Sequence, residues 1–342
     1  MTPEGLTDSW LSVVLNTDVE VRGTSRIGDG LVGMNVRLEL DSDGSMPASM
    51  IAKLPSPDPT SRATGIALRN YEREVCFYLE IAPTVDIRVA RCYHAEWHPE
   101  TSDFVLLMED LAPAQQGNQI VGCDTDQART AVLELAKLHG PRWGDSSLDD
   151  IEWLSRRTPH DSRQLAMLWG MFLPGFMSTF GGYLSTDAAG VIQRFGSLIV
   201  GWVDGRGPAN TVTHGDYRLD NLMFASPHGG AAIAAVDWQT PAHGLGITDV
   251  SYFLGAGLVP PERRQIERAL VEEYGQALAG YGVTVDDDDL WMQYRRDAYA
   301  GVVMSVIASQ IVGTSERSEA MFAAMATRHA QHVLDLESES LL

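Results

Sequence analysis

The sequence predicts an α+β chain of two unequal lobes, a small strand-rich one followed by a larger, mainly helical one. Three observations lead there. The first third carries short alternating runs with a single helical stripe among them. From Thr125 onward apolar residues recur mostly at helical spacing, as in Ala128 to His139, Glu262 to Tyr281 and Leu290 to Val312. The densest polar chemistry falls in Thr211 to Tyr252, where short strands and turns are expected. With 342 residues the chain is long enough for each lobe to bury its own core. The expected division is 1–108 for the first lobe, 109–112 for a connecting hinge and 113–342 for the second.

Taken in order, Val36 to Leu40 (VRLEL) alternates apolar and polar, DSDGS follows as a turn, and Ser49 to Leu54 (SMIAKL) completes a hairpin. Ala67 to Ile81 then puts Leu68, Tyr71, Val75 and Tyr78 on one helical stripe, and Asp103 to Met108 is an apolar strand that runs into Glu109 and Asp110. Asp286 to Asp289 reads as a helix N-terminus or a solvated turn.

Composition excludes several classes of function. A net charge of -21 opposes nonspecific binding to nucleic acid or anionic membrane, because phosphate neutralisation needs clustered Lys and Arg. The basic pairs Arg156-Arg157 and Arg263-Arg264 are isolated and read as solvated helix faces. Cys76, Cys92 and Cys123 lack the paired spacing of a zinc or redox motif and are expected to be reduced thiols of a cytoplasmic protein. The start, MTPEGLTDSWLSVV, has no export pattern, and the apolar stretch Tyr299 to Gly313 is too short and interrupted to span a membrane.

Gly28, Gly30 and Gly33 form a GxGxxG run. A dinucleotide-binding fingerprint needs a helix directly afterwards. Here a strand follows, which suits a glycine-rich loop closing a hairpin over ATP phosphates or, more plainly, an ordinary hairpin turn. Lys53 lies in the apolar strand SMIAKL, where an ammonium is costly unless anions meet it. Phosphates and a helix carboxylate would do so. Glu74 shares a stripe with Tyr71 and Tyr78 and can face Lys53, with Glu72 one register over as the alternative.

The strongest signal is THGDYRLDNLMF, Thr213 to Phe224, followed by AIAAVDWQ, Ala232 to Gln239. Four residues separate Asp216 from Asn221, as in a kinase catalytic loop, where the acid accepts the acceptor's hydroxyl proton and the amide oxygen reaches magnesium. Asp237 follows an apolar strand, where a carboxylate can chelate Mg2+ across nucleotide phosphates. A lone Asp in a turn is more often a cap. HGDxxxxN with a strand-terminal Asp in this order is far more specific.

HGDYRLDN and DWQ resemble the catalytic and metal-binding motifs of the aminoglycoside phosphotransferase and choline kinase-like family, whose fold is protein-kinase-like and bilobal. The resemblance runs over nearly the whole chain, through IAKL, YEREVCFY, LLMEDL at 106–111, ELAKLHG and GITDVSYFL. It is closest to the branch holding ecdysteroid-kinase-like proteins and kinase domains fused to acyl-CoA dehydrogenases. It implies an ATP- and Mg2+-dependent transfer of phosphate to a small-molecule hydroxyl. Asp216 would then be the base, Asn221 and Asp237 the metal ligands, and Lys53 the group on the α- and β-phosphates, oriented by Glu74. Backbone groups of Glu109 and Leu111 would receive adenine. His214 and Asp249 would support the catalytic loop, and Arg218 would anchor Asp249 or another carboxylate. Asn35 departs from the valine of protein-kinase glycine loops.

His139 reads as a helix cap or core residue. The tryptophans Trp143, Trp153, Trp169 and Trp291 and the methionines Met167, Met171 and Met177 read as packing residues. A protein kinase is disfavoured, since the segment from Asp237 to Asp249 leaves no room for an activation segment. A noncatalytic nucleotide-binding module would be expected to have lost Lys53, Asp216 or Asp237. The acceptor pocket is expected in Ser146 to Gly201 and Leu290 to Thr314, whose Trp, Phe, Met and Leu content suits a partly apolar alcohol better than an aminoglycoside.

Overall fold

The structure, a computed structural model, describes residues 2–28, 32–156, 158, 160–313 and 315–342. Helix α1 (Asp8–Leu15) precedes strands β1 (Val19–Ile27), β2 (Gly33–Ser42) and β3 (Ser49–Pro55). Helices α2 (Pro59–Ala67) and α3 (Asn70–Cys76) lead to β4 (Cys92–His98) and β5 (Asp103–Glu109). The five strands form one antiparallel sheet in the order β1-β2-β3-β5-β4. Alternation along β3 and β5 sorts their side chains between two layers. Met50, Ala52, Leu54, Val105 and Leu107 join Leu11 and Leu15 of α1 in an outer cluster. Ile51, Phe104, Leu106 and Met108 pack with Tyr71 and Val75 of α3. Lys53, two positions from Ile51, is carried on that second face.

The remainder of the chain is mainly helical, with α4 (Thr125–His139), α5 (Asp161–Phe180), α6 (Thr186–Phe195), α7 (Ile199–Asp204), α8 (Gly246–Gly257), α9 (Pro260–Ala279), α10 (Asp287–Asp297), α11 (Tyr299–Ile311) and α12 (Glu316–Asp335). Two small sheets interrupt it. One joins β6 (Gln115–Gln116), β9 (Leu222–Ser226) and β10 (Gly229–Ala235); the other joins β7 (Ser155–Arg156), β8 (Thr211–Thr213) and β11 (Ala242–Gly244). A strand-rich lobe followed by a helical lobe is the bilobal α+β arrangement that the pattern predicts.

Several sequence expectations are corrected. The single helix over Ala67 to Ile81 is broken: Arg69 sits at φ 55, in the left-handed region, and α3 starts afresh at Asn70. The buried stripe therefore begins at Tyr71, and Leu68 is exposed. Leu290 to Val312 is likewise two helices meeting at Ala298, beside Asp297, which is drawn inward to Arg206 and Thr248. Asp249 to Tyr252 lies in α8 rather than among strands and turns.

Arg263 is fully buried, not solvated, and pairs with Asp335 and Glu267. Arg156 lies in β7, and Arg157 is outside the described residues. Met167 and Met171 are 62% exposed on α5, whereas Trp153 and Trp169 are core. The run Asp161–Tyr183 is, by length and composition, long and apolar enough to cross a membrane. Only 17% of its most apolar window is buried, Trp169, Phe176 and Phe180 being the large side chains packed into the helical lobe. Burial pushes the free thiols of Cys76 and Cys123 up to about 12 and that of Cys92 up to about 11, which leaves them poor nucleophiles near neutral pH.

Candidate active site

The HGDYRLDN motif runs from the end of β8 through a single 3-10 turn, Leu219–Asn221, into β9. Gly215 has φ 80, and a Cβ there would meet the Thr240 carbonyl oxygen at 2.3 Å, so the loop passes only with glycine. Asp249 on α8 accepts the backbone N–H of His214 at 2.6 Å and of Gly215 at 3.1 Å. His139, fully buried, touches the same carboxylate through Nε2 at 3.4 Å and the Tyr274 hydroxyl through Nδ1 at 2.8 Å. The His214 ring lies within hydrogen-bond distance of the Val236 carbonyl through Nε2, at 3.1 Å, and accepts the Asp216 N–H on Nδ1. Val236 in turn donates its N–H to the Asn221 carbonyl at 2.9 Å. These bonds lock the loop bearing Asp216 and Asn221 to the strand end that presents Asp237.

Lys53 Nζ lies 2.6 Å from Glu74 Oε1 and 2.8 Å from Asp237 Oδ1. Of the two glutamates open in the sequence, Glu74 takes this place, while Glu72 faces Arg69. Burial by itself would pull the Lys53 ammonium down; Asp237 and Glu74 outweigh it and hold the group above its usual value. Burial raises Glu74, whereas the neighbouring ammonium keeps the part-exposed Asp237 below the usual carboxylate range against the desolvation of its site. Asp237 adopts φ 66, a left-handed conformation costly for a non-glycine residue and characteristic of functional positions.

Gly33 lies directly over the pair, with Lys53 Cε at 3.4 Å from where a Cβ would stand. Gly28 ends the preceding strand at φ 67, and Gly30 lies outside the described residues. At the far end of β5, the Glu109 N–H is held by the Arg91 carbonyl and the Leu111 carbonyl by the Ala114 N–H. Asp110 braces this turn by accepting from Arg37, Ser49 and the Ala112 N–H.

Asp216 Oδ2 accepts Arg218 Nε at 3.1 Å and Asn221 Nδ2 at 3.0 Å. Its Oδ1 accepts the Tyr252 hydroxyl at 2.7 Å. Arg218 thus serves Asp216 and Asp220 and does not reach Asp249. Asp220 also accepts from Arg317 and the Gln119 N–H. Since Asn221 spends its amide nitrogen on Asp216, its oxygen is the atom left for a cation. An amide oxygen and a carboxylate fit magnesium, which takes few protein ligands and completes its shell with phosphate and water. Among the described residues no group of three or more His, Cys, Asp and Glu side chains is placed to hold a metal, so these two would be the protein's share.

Sequence reasoning missed Gln239, which donates to Glu74 Oε2 at 3.2 Å and accepts from Asn70. It missed Tyr252 and Asp110 as well. Tyr252 had a signal, its place one turn beyond Asp249; Gln239 stood inside the DWQ motif, and Asp110 beside Glu109.

Residues 187–282 match the family model of the ecdysteroid kinase-like family. No curated protein matches the chain in sequence. Among solved structures, a microcompartment-associated aminopropanol kinase superposes with TM-score 0.58 at 13% identity, covering 94% of each chain. Choline kinase from Cryptosporidium parvum Iowa II gives 0.55 at 10%, covering 94% of this chain and 89% of that one. The GDP complex of an aminoglycoside 2'-phosphotransferase gives 0.53 at 13%, covering 99% and 100%. The chain has the kinase-like fold of these small-molecule phosphotransferases, and its 187–282 segment carries the pattern of the ecdysteroid kinase-like family, in agreement with the resemblance of its motifs.

Proposed function

We propose that the protein is a small-molecule kinase that transfers the γ-phosphoryl group of Mg-ATP to a hydroxyl. The observation that carries the reading is one buried ammonium, Lys53, bridging Glu74 and Asp237 beneath Gly33, with Asp216 and Asn221 joined to each other in the adjacent loop. Lys53 would bind the α- and β-phosphates, held in aim by Glu74. The Glu109 carbonyl and the Leu111 N–H would receive the adenine edge. Asn221 and Asp237 would hold magnesium, which when bound neutralises charge building on the transferred phosphate. Asp216 would take the acceptor's proton, His214 and Asp249 keeping the loop in place.

The acceptor we expect is neutral or anionic rather than a polycation such as an aminoglycoside. The carboxylate beside the base, Asp220, is already neutralised by Arg218 and Arg317, and Met321 lies against Arg218.

Isothermal titration of Mg-ATP into two variants tests the assignment. Asp216→Asn should keep nucleotide affinity near wild type while turnover falls by roughly 10²- to 10⁴-fold, the worth of a positioned base. Asp237→Asn should weaken Mg-dependent nucleotide binding as well. Equal loss of affinity in both would mean that the roles are wrongly assigned, and no binding of Mg-ATP to the wild-type protein would end the kinase reading.

A further inference from the structure

Helix α8 grips the catalytic loop at two points one turn apart. Asp249 holds its backbone at His214 and Gly215; Tyr252, three residues on and therefore on the same helix face, holds its reacting carboxylate. The Tyr252 ring is 5% exposed and stacks on His329 of α12, with centroids 5.3 Å apart and planes 12° off parallel. His329 is fully buried, and among the described residues neither ring nitrogen has a hydrogen-bond partner. Any side chain at Gly255 or Gly301 would run into it, the added Cβ standing 2.6 Å and 2.0 Å from its ring. Packing of α8, α11 and α12 thus fixes the phenol ring, and the one polar act left to it is the hydrogen bond to Asp216.

The bonds around Asp216 make that act specific. An ionised carboxylate offers about four lone-pair directions. Arg218 and Asn221 occupy the two on Oδ2, and Tyr252 occupies one of the two on Oδ1. One direction remains, on Oδ1 beside the phenol.

We propose that Tyr252 is a positioning residue for phosphoryl transfer: its hydroxyl, with Arg218 and Asn221, clamps the Asp216 carboxylate so that a single lone pair on Oδ1 meets the acceptor. The proposal rests on the kinase reading above. In the transfer, the acceptor's O–H proton passes to Asp216 Oδ1 as its oxygen bonds the γ-phosphorus. The bond from that phosphorus to the bridging oxygen breaks, and its electron pair leaves with ADP. Tyr252 keeps its own proton throughout; burial, and then the charge of Asp216, hold the phenol well above its usual range.

The test is steady-state phosphate release from Mg-ATP with water as acceptor, for the wild-type chain, Tyr252→Phe, Asp216→Asn and the double variant. Mg-ATP affinity and Tm are measured alongside. Tyr252→Phe retains the ring and its stack, so Tm and Mg-ATP affinity should stay near wild type. The expected fall in kcat is roughly 10- to 100-fold, the rate equivalent of one hydrogen bond to a charged group, with KM for ATP within about twofold. Because Tyr252 acts through Asp216, adding Tyr252→Phe to Asp216→Asn should cost nothing more. Wild-type turnover in Tyr252→Phe while Asp216→Asn is impaired, multiplying effects in the double variant, or loss of Mg-ATP binding in Tyr252→Phe would each overturn this role and leave the kinase reading standing. Turnover that ignores Asp216→Asn would overturn both.

Discussion

Replacing Lys53 by Met removes one ammonium and orphans Glu74, which is 1% exposed and would retain only Gln239 as a partner. Asp237 is far less affected, since its side chain is 39% exposed and can hydrate. Breaking a buried pair from one side costs about 3–5 kcal/mol. Protonation of Glu74 caps that cost. Neutralising a carboxyl of ordinary pKa, about 4.3, at pH 7 takes about 3.7 kcal/mol, and at pH 5 about 1 kcal/mol. Lys53→Met should therefore destabilise by about 3–4 kcal/mol at pH 7 and by only about 1 kcal/mol at pH 5.

The sign follows from linkage. In the variant the native state binds one proton more than the unfolded chain above the ordinary glutamate pKa, so its stability relative to wild type rises as pH falls. Adding Glu74→Gln removes the orphaned charge and should restore about 2 kcal/mol or more at pH 7, although Glu74→Gln alone should be destabilising. Urea unfolding of the four proteins at both pH values, followed by tryptophan fluorescence, measures all of this. A Lys53→Met cost that is the same at pH 7 and pH 5, or a second substitution that destabilises further, would refute a buried, charge-compensated pair.

Two more outcomes are expected. Burial holds the His329 imidazole well below its usual value and, against the pull of Glu267, lowers His332 too, with His332, Arg263 and Arg328 adding to the effect at His329. His329 stays neutral in the native state while the unfolded chain protonates, so stability is lost as pH falls through about 6.5, the slope approaching about 1.4 kcal/mol per pH unit below that, and His332 adds in the same direction; His329→Leu should flatten that slope, and an unchanged slope between pH 6.5 and 5.5 would be contrary evidence. Asp249→Ala leaves the His214 and Gly215 N–H groups without their acceptor. It should lower unfolding free energy by about 2–5 kcal/mol and reduce turnover, while Mg-ATP affinity, read by calorimetry, stays within about threefold.

The loop carrying Asp216 and Asn221 was legible in the sequence because its geometry is local. Only four residues lie between Asp216 and Asn221, and that short covalent spacing brings the amide to the carboxylate, 3.0 Å away in the structure. The alternation of SMIAKL was legible for a similar reason: a period of two puts Lys53 on the face of Ile51 whatever lies opposite. What lies opposite was a tertiary decision. The stripe with Tyr71 and Tyr78 favours Glu74 over Glu72, and the packing of α3 against the sheet is what brings Glu74 to Lys53 and leaves Glu72 to Arg69. Arg263 reads as a surface residue until Asp335, from the far end of the chain, meets it in the interior. Met167 and Met171 read as core until α5 packs with its other side inward. Tyr252 shows the limit most clearly. A helical period names the face it shares with Asp249, but nothing local says that this face meets Asp216 Oδ1, or that a buried histidine 77 positions later backs its ring. Local spacing fixes which side chains travel together; which of them meet depends on long-range burial, because the packing that chooses between a charged partner and an apolar one involves the whole core at once.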